Sequence, residues 1–195
     1  VVAGNPNAPM FKDYALLIAD PKWKVREVVA GNPNAPRFEE YVSLFTDSLW
    51  EVRIKVAGNL GAPKFKGFAL LFSDPLWRVK EAAARNPNAL AFKEYTMLFT
   101  DSKWQVRAAV GANPYAPRLK EYAMLFTDSN WEVREEVAGN LNAPILKEYD
   151  LLFNNRQTGV LIAIAGNRNA RIFGEYTSLR DRLGEFEWMY FRDDD

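Results

Sequence analysis

The sequence predicts an all-α solenoid, in which tandem repeats of 27 residues each form two short helices. Two observations carry this prediction: single residue types recur with a 27-residue step, and the apolar residues between them follow a helical period. The recurring asparagines are Asn5, Asn32, Asn59, Asn86, Asn113, Asn140 and Asn167. The tryptophans are Trp23, Trp50, Trp77, Trp104 and Trp131. No insertion interrupts this step, so the repeat defines the architecture.

The second copy illustrates the helices of one repeat. Phe38, Tyr41, Leu44 and Phe45 fall on one side of a first helix, which is predicted to run from about Arg37 to Thr46. The expected second helix has Asp47 as its N-cap and carries apolar residues from Trp50 to Ala57. Gly58 is expected to end it in the left-handed conformation, and a proline follows the next asparagine in most copies.

Neither helix can bury its apolar side alone, so neighbouring copies are expected to stack into a continuous core. One domain is predicted over residues 1–179, with about six full repeats and partial ends, followed by a capping segment at 180–195. Phe186, Trp188, Met189 and Phe191 are expected to cover the last apolar face, although this tail could instead be a free docking peptide. The opening residues Val1–Asn5 match the end of a second helix, which predicts further repeats upstream in the parent protein.

The composition argues against a catalytic or metal-binding site. The chain has 25 basic and 25 acidic residues and neither histidine nor cysteine, which removes the usual metal ligands and the usual general base. No Gly-rich phosphate loop occurs, and unlike polar groups do not gather at one place in any of the first five copies. We therefore expect no enzymatic activity, no catalytic residue, no metal site and no cofactor. No apolar run is long enough to suggest a membrane segment.

The segment Asp47-Ser-Leu-Trp-Glu-Val-Arg53 resembles the Asp…Val-Arg signature of HEAT repeats. Extended through Val56-Ala57-Gly58-Asn59 and the Asn32–Pro36 turn, it is more similar to the leucine-rich repeat variant family. This resemblance covers nearly the whole chain and implies a right-handed superhelix of paired helices, one of which is a 3₁₀ segment in some members. The unit here is longer than the family's usual one, which favours a first helix that is fully α.

A ladder of ion pairs is predicted from the charged columns. Arg53 falls within the apolar arc of the second helix, where an unpaired charge costs several kcal/mol. The aspartates available to such a column are Asp20, Asp47, Asp74, Asp101 and Asp128, and the basic residues are Arg26, Arg53, Lys80, Arg107 and Arg134. In the sixth copy, Asn155, Thr158 and Leu161 replace the Asp, Trp and Arg together. We expect an Asp–Arg ladder between repeats with tryptophan beside the arginine stem; a stacking and phosphate track for nucleic acid is the alternative.

The asparagine column has a structural interpretation, in which each amide bonds backbone groups of its own repeat and of the next one. Partner contacts are expected elsewhere, at two places. One is the outer side of the second helix, where two columns vary between copies. One variable column supplies the candidates Arg78, Gln105 and Glu132, unless its mixed charge is simply that of a solvated face. The other place is a column of the first helix that should be polar yet is mostly apolar, and consists of Leu16, Ser43, Leu70, Met97, Met124, Leu151 and Ser178. Its candidate contacts are Leu70, Met97 and Met124, unless a sandwiched helix buries them.

The sequence therefore predicts a non-enzymatic repeat scaffold that binds a protein or peptide partner. A nucleic-acid-binding HEAT-like solenoid is the alternative, disfavoured because the aspartates cancel the basic column. A purely structural array, designed or truncated, is a third interpretation. The sequence leaves the oligomeric state open.

Overall fold

The computed structural model describes residues 2–188, without the side chains of 180 and 185–188. Every secondary-structure element in this part of the chain is helical, and the elements repeat in the predicted order. The chain divides into two compact units, Val1–Leu98 and Phe99–Asp195, with the division inside one repeat. The predicted all-α solenoid of tandem two-helix repeats is confirmed.

The second helix of each repeat is an α-helix of about two and a half turns. These helices are α1 Trp23–Gly31, α2 Trp50–Gly58, α3 Trp77–Arg85, α4 Trp104–Ala112, α5 Trp131–Gly139 and α6 Thr158–Gly166. In the first unit α1 packs against α2 and α2 against α3; in the second, α5 packs between α4 and α6. The helix α7, Leu179–Trp188, packs against α6 and is kinked at Gly184.

The first helix of each repeat is a 3₁₀ helix, so the expectation of a fully α first helix is wrong. The long 3₁₀ helices are Lys12–Ala19, Glu39–Thr46, Lys66–Ser73, Lys93–Thr100, Lys120–Thr127, Lys147–Asn154 and Gly174–Ser178. A short 3₁₀ turn such as Ala35–Arg37 precedes each of them and is separated by one extended residue, here Phe38 with φ −89° and ψ 135°. Three residues per turn places Tyr41 and Leu44 on one line, and both are buried.

The predicted caps of the α-helices also need correction. In the second repeat α2 begins at Trp50 after Leu49, and Asp47 lies further upstream, where its Oδ1 accepts the N–H of Leu49 at 2.9 Å. Gly58 is helical, and the chain leaves the helix through Asn59 at φ −75° and ψ 119°, an extended conformation. Among the described residues only Gly184 has a positive φ. A proline after the asparagine favours this extended exit in the copies that have one.

The core is layered by residue type. The 3₁₀ helices bury a tyrosine, a leucine and a phenylalanine, as at Tyr122, Leu125 and Phe126, and the α-helices bury valine and alanine. Aromatic rings connect neighbouring repeats, with stacked pairs at Tyr41–Phe65 and Tyr149–Phe173, whose centroids lie 6.0 and 5.4 Å apart. Each repeat thus completes the aromatic layer of its neighbour.

The asparagine column fastens each repeat to the preceding one. Asn140 Nδ2 donates to Gly111 O at 2.7 Å and to Asn113 O at 3.0 Å, while its Oδ1 accepts the N–H of Asn142 at 3.0 Å. Asn32, Asn59, Asn86 and Asn167 make the same three bonds. The structural interpretation is confirmed, except that the bonded neighbour is the previous repeat rather than the next one.

Tyrosine hydroxyls bond the same α-helix ends. Tyr122 donates to Gly111 O at 2.7 Å, and Tyr149 donates to Ala138 O at 2.7 Å. Burial raises the pKa of Tyr149 well above its usual value, although the bond with the Asn167 side chain acts in the opposite direction. The hydroxyl therefore stays a neutral donor inside the repeat.

The predicted cap lies only partly within the described residues. Leu179 and Leu183 of α7 are buried against the end of the second unit. The side chains of Phe186 and Trp188, and all of Met189 and Phe191, lie outside the described residues, so their covering role stays a prediction.

We predict that Asn140→Ala lowers the free energy of unfolding by about 3 kcal/mol, because it leaves two buried carbonyls and one N–H without this partner. The matched control is Asn142→Ala, which removes one exposed bond to Pro114 O and should cost less than about 1 kcal/mol. Urea unfolding followed by circular dichroism measures both values. Equal costs would contradict a structural role specific to the asparagine column.

Candidate functional site

The predicted Asp–Arg ladder is present, and each rung joins one repeat to the next. Arg107 Nε lies 2.6 Å from Asp128 Oδ2, and its Nη2 lies 2.8 Å from Asp128 Oδ1. The pairs Arg26–Asp47 and Arg53–Asp74 have the same bidentate geometry, with Nε–Oδ2 distances of 2.6 Å. In each case Nη1 donates to the backbone carbonyl of the aspartate in the arginine's own repeat. A rung therefore satisfies the half-buried guanidinium from both sides.

The rung at Arg107 lowers the pKa of its aspartate. Burial acts to raise the pKa of Asp128, but hydrogen bonds from Arg107 and the Asn130 N–H, and the charges of Arg107 and Arg134, outweigh burial and hold that pKa below its usual value. Because the folded-state pKa is lowered, the stabilisation is present above the unfolded aspartate pKa. It is lost as the pH falls through the lowered folded-state value.

The sixth copy changes this ladder in a way that the sequence does not reveal. The aspartate that pairs with each arginine lies in the following repeat. The replacement of aspartate by Asn155 in copy six therefore removes the partner of Arg134 in copy five. Among the described residues Arg134 has no ion pair, and it keeps only the bond from Nη1 to Asp128 O. The joint loss of Asp, Trp and Arg in copy six therefore does not remove a self-contained set.

Arg182 occupies the aspartate position of the seventh copy and was not predicted as part of the ladder. Its guanidinium donates to Phe153 O and Asn155 O. In earlier repeats, the column arginine bonds the carbonyl equivalent to Asn155 O. In copy six the column position holds Leu161, which has no side-chain donor. A guanidinium from the following repeat thus takes over part of the missing contact.

The variable column on the α-helices is less exposed than predicted. Arg78 is exposed and lies over the ring of Trp77, with 4.6 Å between its Cζ and the ring centroid. Gln105 and Glu132 are half-buried, and neither Gln105 Oε1 nor Glu132 Oε2 has a hydrogen-bond partner in the described part of the chain. The expectation that this column lies on an outer, solvated side is therefore wrong for Gln105 and Glu132.

The sixth copy of this column is Gly159. A Cβ added there would lie 3.0 Å from Glu135 Oε1 and 3.2 Å from Trp131 Cζ3, so this position faces side chains of the preceding repeat. The predicted contact between tryptophan and the arginine stem stays a prediction.

The apolar column of the first helices is exposed. We call Leu16, Leu70, Met97, Met124 and Leu151 the apolar row; their exposed fractions are 74%, 54%, 55%, 51% and 46%. Ser43 and Ser178 hold the same position in the remaining copies and are also exposed. The candidate residues Leu70, Met97 and Met124 therefore lie on the surface rather than in a sandwiched core. They lie on different helices from Arg78, Gln105 and Glu132.

The 3₁₀ geometry places three residue types in line on this face. Residues three apart share one side of a 3₁₀ helix, so Glu121, Met124 and Thr127 follow one another along the exposed side. The Thr127 hydroxyl donates back to Met124 O at 3.4 Å. We call the carboxylates at the first of these positions the acidic row, which consists of Asp13, Glu40, Glu94, Glu121, Glu148 and Glu175. The sequence periodicity alone, interpreted as α-helical, did not reveal this alignment.

Two shallow concavities accompany the helices. In the first unit a groove of about 350 Å³ runs beside Leu70 and is bounded by Phe45 and the Arg53–Asp74 rung. In the second unit another of about 350 Å³ is lined by Glu135 and Glu136 with small residues of the neighbouring helices. Burial, followed by the charges of Glu136 and Glu132, raises the pKa of Glu135.

Among the side chains that the structure describes, no three metal-ligating groups come together, and no described helix has the length and apolarity needed to cross a bilayer. No protein-family model matches the chain, and no curated protein is significantly similar to it in sequence.

We predict that Arg107→Leu costs about 3 kcal/mol, because Asp128 then remains half-buried without its cation. Replacing Asp128 by Asn in the same chain should recover part of this loss, since the stranded charge is removed. Chemical denaturation of the two single variants and the double variant measures the coupling. Additive costs would mean that the two residues do not act as a pair.

We also predict that Asn155→Asp raises the free energy of unfolding by about 1 kcal/mol or more, because it restores a carboxylate opposite Arg134. The control is Asn154→Asp, which adds the same charge at the neighbouring exposed position. The gain should disappear at low pH, where the new carboxylate is protonated. Equal free energies of unfolding for the two variants would contradict the idea that Arg134 lacks only its carboxylate partner.

Proposed function

We propose that this chain is a non-enzymatic scaffold that binds a protein or peptide through its apolar row. The observation that carries the proposal is the exposure of large apolar side chains at one position of the repeat, in both units. Tyr122 and Leu125, on either side of Met124 in the same helix, are buried, so the helix already has a packed side. Monomeric proteins rarely expose large contiguous apolar patches, so apolar exposure repeated at one position of a stacked repeat favours a contact surface.

The polar groups of the repeat support this choice because most of them already have structural partners. The asparagines bond backbone carbonyls, the tyrosines bond helix ends, and the column arginines of three rungs are paired with aspartates. Repeated groups that are committed in this way are poor candidates for substrate binding or acid–base catalysis. A nucleic-acid track is disfavoured for the same reason, since the aspartates neutralise the arginines.

We further propose that the repeat belongs to the HEAT-like group, with the leucine-rich repeat variant type as its closer relative. The motif residues Asp47 and Arg53 take part in successive rungs, so the signature has a structural meaning here. The alternation of a 3₁₀ helix with an α-helix also agrees with what that resemblance implies.

We predict that Met124→Gln combined with Leu151→Gln weakens partner binding at least tenfold, because about 1 to 2 kcal/mol of apolar burial is lost at each contact. Both side chains are about half exposed, so the free energy of unfolding should change by less than about 1 kcal/mol. Peptides selected from a random display library on the unchanged chain provide the ligands, and titration calorimetry measures their affinity.

The matched control is Ile145→Gln, which removes an apolar side chain that is 73% exposed but lies on a turn outside the apolar row. Binding to the selected peptides should be unchanged. Peptides that bind the unchanged chain and the Met124→Gln, Leu151→Gln variant equally well would contradict the proposal. A large fall in the melting temperature of that variant would also contradict it.

A further inference from the structure

We propose that the occupant of the apolar row in the second unit is a basic amphipathic α-helix. This inference rests on the proposed function and specifies the partner's charge and conformation. The 3₁₀ helices Lys120–Thr127 and Lys147–Asn154 pack side by side in this unit. They present Met124 and Leu151 on one surface, and both residues are about half exposed.

The charge beside these two apolar residues is the first argument. Glu121 precedes Met124, and Glu148 precedes Leu151, by three residues, which is one turn of a 3₁₀ helix. Each carboxylate therefore lies beside its apolar neighbour on the same side. Asp150 adds a further exposed carboxylate next to Leu151. A partner with cationic side chains along one edge of its apolar side complements this surface.

Glu121 and Glu148 are partly exposed, and 26% of the Glu121 side chain is accessible. Glu148 has no ion pair within the described residues, and Glu121 pairs only with Lys120, at 4.0 Å. The Lys120 side chain is 91% exposed, so this contact is screened by solvent and contributes little. Lys120 and Lys147 lie one residue before the carboxylates, a third of a turn around the helix from them. Within these two helices, the charged residue in line with Met124 and with Leu151 is therefore a carboxylate.

The spacing and the backbone favour a helix as the partner. Packed helices lie about 8 to 10 Å apart, and residues seven apart in an α-helix are separated by about 10.5 Å. An extended peptide also reaches this distance in about three residues, but its backbone groups need hydrogen-bond partners. The described secondary structure is entirely helical and offers no strand edge to pair with. A helix satisfies its own backbone and can place an apolar residue on Met124 and on Leu151, and the thioether of Met124 adapts to its shape.

The test uses two synthetic helical peptides of about three heptads each. Both carry leucine at every seventh position; one has arginine along one edge of this row, and the other has glutamate at the same places. We expect the arginine peptide to bind the chain at least tenfold more tightly at low salt, with a smaller difference at high salt because exposed charges are screened.

Glu121→Lys combined with Glu148→Lys should reverse this preference, and Glu121→Gln combined with Glu148→Gln should abolish it. The control is Glu135→Lys with Glu136→Lys, which makes the same charge change on α5 and should leave the preference unchanged. Circular dichroism and melting of every variant establish that the fold is retained.

The outcomes separate the two proposals. Equal binding of both peptides, tighter binding of the glutamate peptide, or failure of the arginine peptide to bind overturns the basic helix. So does an enrichment of acidic or non-helical sequences among the selected display peptides that depend on Met124 and Leu151, although the proposed function then stands. Binding of the arginine peptide that is unaffected by Met124→Gln and Leu151→Gln overturns both, because the peptide is then held elsewhere.

Discussion

The rest of the structure depends on one interaction, the bond from each column asparagine to the preceding repeat. An α-helix leaves its last carbonyls without partners, and a helix end buried in a stack cannot satisfy them with water. Asn59 Nδ2 resolves this by donating to Ala30 O and Asn32 O, while its Oδ1 holds the N–H of Gly61. One amide thus closes its own turn and fastens it to the previous one. Because both carbonyls lie at fixed places in the preceding copy, an inserted residue would break the match, which explains the unbroken 27-residue step.

The ion-pair ladder is a second link between repeats, and the asparagine bonds do not depend on it. The asparagine bonds persist in the last copy described, at Asn167, where the ladder has already lost its usual residues. The rungs are therefore not required for stacking, and they instead neutralise the charge of a guanidinium placed beside an apolar helix. Arg182 illustrates the physical requirement, since it supplies donors to Asn155 O from the opposite side when the usual arginine is absent. The carbonyl of Asn155 therefore keeps a hydrogen-bond donor, although that donor comes from a different repeat than usual.

The sequence predicted those features that depend on residue identity and period. The repeat, the structural asparagines and the pairing of arginine with aspartate follow from the cost of leaving buried polar groups unsatisfied, which holds whatever the local backbone. The features that were missed depend on backbone geometry. Phe38, Tyr41 and Leu44 suit a 3₁₀ helix as well as one side of an α-helix, and the choice is made by packing against neighbouring repeats. The sequence also does not determine which aspartate each arginine pairs with, because the partner could lie in the same repeat or in a neighbouring one. For this reason the isolated Arg134 and the substitute Arg182 were not recognised.

The 3₁₀ geometry has a further consequence for the surface. In an α-helix, residues three apart diverge by about 60° around the axis, and after six residues by about 120°. Glu121, Met124 and Thr127 would then point in different directions. In the 3₁₀ helix they stay in line, so this repeat presents a carboxylate, an apolar side chain and a hydroxyl in that order. In the second unit, stacking places Met124 and Leu151 on two such helices that pack side by side. The same tight helix that buries Tyr122 and Leu125 thereby produces the surface on which a partner is proposed to bind.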